Sequence, residues 1–139
     1  MKIVINKCWG GFGVSHKGIM RWAELKGVTL YPFVEDDPHD IRNQKYVPYV
    51  DGMEIPFHGV SYSTKPLTLE GKYEEDAYFW DHDLERNDPF LVQVVEELGD
   101  DASDSLANLK IVEVPDGIEW EIHDYDGMES VQEIHRSWG

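Results

Sequence analysis

The chain opens MKIVINKCWGGFGVSHKGIMRWAELKGVTLYPFV over residues 1–34. Lys2 to Asn6 reads as a buried strand, because Ile3-Val4-Ile5 is a short unbroken apolar run closed by a glycine-rich stretch. That stretch is Gly10-Gly11-Phe12-Gly13. Ser15 follows at the position of a helix N-cap, where its hydroxyl accepts from the first free amides of the turn. From His16 to Lys26 the apolar residues Ile19, Trp22 and Ala23 share one helical face, and Gly27 supplies the stop. Val28 to Val34 is a second strand, rich in β-branched and aromatic side chains. The reading is a β–loop–α–β unit, and its simplest closure is a parallel crossover.

Downstream, Glu35 to Asn43 (EDDPHDIRN) is a polar loop, and Tyr46 to Phe57 suggests a hairpin about Asp51-Gly52. Pro48 and Pro56 restrict that hairpin to edge strands or bulges. Ser61 to Asp76 has no clean period and reads as loop. Ala77 to Trp80 is a short aromatic strand. Asp88 then caps a helix with Pro89 at its first position, the stripe Leu91, Val94, Val95, Leu98 on one face, and Gly99 at its end. Ala102 to Leu109 adds a helical turn or two, and Lys110 to Val114 is a strand. After the turn residues Pro115-Asp116-Gly117, the run Ile118 to Ile122 alternates strictly, placing Ile118, Trp120 and Ile122 on one face. Met128, Val131, Ile134 and Trp138 line one side of a last helix. The expected class is α/β, with α+β open: one compact domain over 1–139, a mixed sheet of five to seven strands and three helices.

The whole chain has 139 residues and a formal charge of −16, yet residues 1–34 hold five bases against Glu24 alone, a net of +4. The remaining residues carry −20. Net acidity argues against a general grip on nucleic acid, which needs clustered Lys and Arg facing phosphates. Seventeen aromatic residues are too many for a disordered acidic chain. No run approaches the roughly 18 apolar residues of a membrane-spanning helix, and the start lacks the apolar core of a signal peptide. Cys8 is the sole cysteine, so no intrachain disulfide forms and a reducing cytoplasm is the expected setting.

The candidate chemistry follows from the +4 segment. Glycines let backbone amides converge, and a helix N-terminus favours an anion. Gly11, Gly13 and Ser15 therefore form a candidate anion cradle, with Lys17 and Arg21 one turn apart on the following helix. The loop is neither a Walker A motif nor a GxGxxG fingerprint, and a tight strand-to-helix turn explains its glycines equally well. Arg86 and Arg136 are further candidates, because the guanidinium fork suits a pyrophosphate, while in so acidic a chain neutralisation by neighbours is the plain alternative. The clusters Asp36-Asp37-Pro38-His39-Asp40 and Asp81-His82-Asp83 hold metal-ligand side chains without a metalloenzyme spacing, so no metal or cofactor is assigned. They leave open a metal-assisted phosphoester hydrolase as the enzymatic alternative. Cys8 as a nucleophile lacks any recognised surrounding signature. Of the aromatic residues, the group Tyr78, Phe79, Trp80 presents alternate members to opposite sides of its strand, one side free to stack a base or close an interface.

The runs MKIVINKCWGGFGVS, DPFLVQVVEELG and EWEIHDYDGMESVQEIHRSW together resemble a small acidic family of bacteriophages and prophages. The chain is also similar to the phage anti-defence sponges that sequester cyclic ADP-ribose signals of the Thoeris system. That resemblance implies a cytoplasmic homo-oligomer that binds a cyclic nucleotide tightly without cleaving it. Under it, Trp9 and Phe12 are the ring-stacking candidates beside the glycines.

Overall fold

A computed structural model describes residues 1–37, 39, 42, 44–56 and 59–134. The class is mixed α+β, and the described residues form eight strands in three sheets with two α-helices. In chain order these are β1 (Lys2–Asn6), α1 (His16–Lys26), β2 (Tyr31–Glu35), β3 (Tyr46–Pro48), β4 (Ser61–Ser63), β5 (Tyr78–Phe79), α2 (Pro89–Leu98), β6 (Leu109–Glu113), β7 (Trp120–Tyr125) and β8 (Met128–Glu133). The chain divides into two compact units, Met1–Trp22 with Leu84–Gly139, and Ala23–Asp83.

In the first unit β1 pairs antiparallel with β6, from Lys2 opposite Glu113 to Asn6 opposite Leu109. Ile3, Val4 and Ile5 are fully buried, as are Leu91 and Val94 of α2. Asp88 accepts from the amides of Phe90 and Leu91 at 2.7 and 3.3 Å, so the expected cap, Pro89 start and Gly99 stop of α2 all occur.

The second unit is a four-stranded sheet in the order β3-β2-β4-β5, every neighbour antiparallel. The parallel crossover expected between the first two strands is therefore absent: β1 and β2 lie in different sheets. The local signals of strand, glycine loop and helix were sound, but the choice of partner strand is made by residues more than a hundred positions away. The hairpin about Asp51-Gly52 is also replaced. Gly52 does turn, at φ +95°, but residues 53–56 form no returning strand, and Tyr46–Pro48 pairs with β2 instead. Phe57 lies outside the described residues. Within the expected loop from Ser61 to Asp76, Ser61–Ser63 forms β4, with Tyr62 and Ser63 buried. After α2, residues Gly99–Ala102 form one 3₁₀ turn and the chain to Leu109 is not helical.

Where the last helix is expected from Met128 onward, Met128–Glu133 is a strand. β7 and β8 are joined by Asp126-Gly127, both at positive φ (50° and 92°), with Tyr125 opposite Met128. An Asp-Gly pair with both residues left-handed is the tight turn that matches strand twist. β8 shows no apolar alternation, because its one buried position is Glu129, only 6% exposed. Its partner is far off in sequence. Trp138 lies outside the described residues.

Candidate functional site

The glycine-rich loop is built as expected at its helical end. The Ser15 hydroxyl accepts from the Gly18 amide at 3.0 Å and donates to the Asp101 carbonyl at 2.5 Å, while the Ser15 amide donates to the Ala102 carbonyl at 2.8 Å. Ser15 is thus the N-cap of α1, with its polar atoms engaged inside the protein. The space a side chain would need at Gly13 is taken by the Asp104 carboxylate, and at Gly10 by the backbone carbonyl of Leu106. These glycines permit close approach of the 101–106 segment, whose Asp101 and Asp104 bring negative charge to the loop. Gly11, at φ +91°, borders open space.

The candidate cations are placed differently from one another. Lys17 reaches Asp101 at 3.9 Å, both side chains well exposed. Arg21 grips Glu97 of α2 with two bonds, Nε to Oε2 at 2.9 Å and Nη2 to Oε1 at 3.2 Å. Gln93 adds a third bond to Glu97 at 2.9 Å. The Arg21 and Gln93 bonds hold the Glu97 carboxyl down at about 2, against an ordinary 4.5. Because that value is lowered in the folded state, the pair's stabilisation is present above the ordinary carboxylate range and is lost as pH falls toward about 2. An NMR titration of the Glu97 carboxyl carbon is expected to show the low midpoint, and Arg21→Ala to raise it toward the ordinary range, Gln93 still lowering it in part.

Arg86 sits in the loop before α2 and is committed elsewhere. Its Nη1 and Nη2 donate to Glu129 Oε1 and Oε2 at 2.6 and 2.9 Å. Its guanidinium carbon lies 3.6 Å above the centre of the Phe12 ring. Phe12 is 7% exposed and its ring is covered by Arg86, so Phe12 offers no free stacking surface. Arg136 lies outside the described residues.

Two residues that sequence patterning gave no cause to single out organise this region. Asn6 is fully buried. Its side-chain amide donates to the carbonyls of Cys8 and Gly127 at 2.6 Å each, its carbonyl accepts from the Asn108 amide at 2.8 Å, and its backbone amide donates to Glu129 at 2.8 Å. Asn6 and Glu129 together tie β1, the glycine loop and the β7–β8 turn. At that turn a side chain on Gly127 would run into the backbone of Trp9 and Gly11, which fixes the loop against the hairpin.

Trp9 is what this arrangement leaves outside. The residue is 61% exposed, and its ring meets Tyr125 edge-on, with centroids 5.8 Å apart and planes at 66°. Tyr125 is itself well exposed at the tip of β7. Lys7 is exposed and forms no ion pair among the described residues.

Among the described residues the acid–imidazole clusters do not assemble into a larger group. His82 Nδ1 lies 3.3 Å from Asp81, and its ring packs on Trp80 at 4.4 Å. Among the described residues no three His, Cys, Asp or Glu side chains gather where they would hold a metal ion. Pro38 and Asp40 of the other cluster lie outside the described residues. No helix among the described residues is long and apolar enough to cross a membrane. Comparison with protein-family models, curated proteins and solved structures finds no match to this chain.

Proposed function

We propose that the protein is a phage or prophage anti-defence protein that binds a cyclic nucleotide signal of the cyclic ADP-ribose type and sequesters it without cleavage. The observation that carries this reading is the exposed Trp9, whose ring meets Tyr125 edge-on and whose backbone is packed against the Gly127 turn. A preorganised indole stacks any base, and each such contact is worth about 1–3 kcal/mol. Lys7 and Lys17 lie on either side of the glycines in sequence and supply the cations for the phosphates. The Lys17–Asp101 contact is a long, exposed ion pair, so a phosphate displaces that carboxylate at a cost of about 1 kcal/mol or less. Arg86 stays with Glu129 and takes no part. The protein acts in the host cytoplasm as a homo-oligomer. A sponge needs fixed contacts rather than an acid–base pair, and the ligand leaves unchanged.

The test is calorimetry against a panel of cyclic nucleotides that includes cyclic ADP-ribose. One member is expected to bind, Trp9→Ala to weaken it about tenfold or more, and mass spectrometry of the denatured complex to return the ligand intact. A panel without heat or thermal shift overturns the reading. A ligand returned as hydrolysed product points instead to the enzymatic alternative.

A further inference from the structure

The second unit holds a cavity of about 220 Å³ lined by Phe33, Tyr46, Tyr73, Tyr78, Glu35 and Ser61 among others. Tyr73 is its hub. Its ring stacks on Phe33 at 5.2 Å and 25°, meets Tyr46 edge-on at 5.4 Å and 67°, and lies tilted against Tyr78 at 5.4 Å and 44°. Phe33, 1% exposed, is the floor, and Tyr78, 42% exposed, is on the rim. The strand register explains part of this, since Glu35 is paired with Tyr46 across β2 and β3.

Glu35 is the informative member. Its residue is half-buried, and its carboxylate makes no hydrogen bond or ion pair among the described residues. A carboxylate without a partner beside a cavity offers a counter-charge to a cation that enters it. The rings point the same way, because the face of a neutral aromatic ring is electrostatically negative and attracts a cation. Burial, helped by Tyr73, Glu35 and Tyr78, pushes the Tyr46 phenol above its ordinary range, which keeps that ring neutral. Residues 23–83 carry thirteen acids against five bases, a net of −8, so a cation is drawn to this unit and a polyanion is repelled. The volume is below the roughly 300–1,000 Å³ of drug-sized pockets and fits a head group rather than a whole nucleotide.

We propose that the tyrosine-lined cavity at Glu35 binds a methylated ammonium group, carried by a free small molecule or by the end of a methylated lysine side chain. The rings give the methyl groups their contact and Glu35 balances the charge. This site shares no residue with the Trp9 region and does not depend on the nucleotide reading.

Titration calorimetry on the full chain tests it with choline, tetramethylammonium, N-acetyl-trimethyl-lysine amide and dimethylbutanol, the uncharged carbon isostere of choline. The cations are expected to bind with a Kd on the order of 1 mM, and the isostere about tenfold more weakly or worse. Glu35→Gln is expected to weaken choline about tenfold while leaving the melting curve and the response to the isostere unchanged. Tyr78→Ala, at the exposed rim, is a second variant expected to lose affinity without unfolding. Tighter binding of choline identifies a small-molecule source, and tighter binding of the lysine derivative a protein source. Equal binding of isostere and cation, no binding of any cation, or an unaltered Glu35→Gln overturns the proposal.

Discussion

Arg86→Met is expected to destabilise the protein by about 3–5 kcal/mol, because it leaves the Glu129 carboxylate buried without its cation. Glu129 is 6% exposed, and Arg86 supplies two of its bonds, the third coming from the Asn6 amide. The same substitution also removes the guanidinium that covers Phe12. Against a total of about 5–15 kcal/mol, the loss is large enough to bring a marginal domain close to unfolding. The melting temperature is expected to fall by roughly 10–20 °C. The double variant Arg86→Met with Glu129→Leu separates the causes. If the unpaired charge dominates, the pair is expected to recover much of the loss, since well-packed apolar replacements of buried ion pairs are often neutral or better. A single variant that melts like the parent would show that water reaches Glu129 and that the buried pair does not hold β8 in place.

Asn6→Ala is expected to cost about 2–4 kcal/mol, measured by urea or thermal unfolding, because a fully buried amide serves three backbone groups at once. The Cys8 and Gly127 carbonyls lose their donor and the Asn108 amide loses its acceptor. No apolar side chain replaces those bonds. Since two of the three partners flank Trp9 and its supporting hairpin, local hydrogen exchange is expected to rise at residues 8–11 and 125–128 more than in α2. Uniform acceleration across the molecule would instead place the effect on global stability.

Where a structure depends on neighbours in sequence, it was legible. The Asp88 cap, Pro89 and Gly99 delimit α2, and Ser15 starts α1, because a cap is made within three or four residues. Where a long-range partner decides, the pattern misled. Met128 to Ile134 has helix-like apolar spacing, and the one buried position of β8 is the charged Glu129, whose burial is permitted by an arginine 43 residues away. The Asp126-Gly127 turn was the available signal for the hairpin, and it outweighs the spacing. The candidate anion site divides in the same way. Its glycines and the +4 charge are sequence facts, but Asp101 and Asp104 come from a distant segment and reach the loop only through the fold. The tyrosine cavity was not legible at all, because Glu35, Tyr46, Tyr73 and Tyr78 belong to separate strands and loops without a shared period.

By itself the sequence determined the α and β content of most elements, the caps of both helices and the net acidity, since these rest on local backbone chemistry and on composition. The tertiary structure alone decided which strands pair, which cations are already spent on carboxylates and which aromatic rings meet, because each is a contact between residues that the chain keeps far apart until it folds.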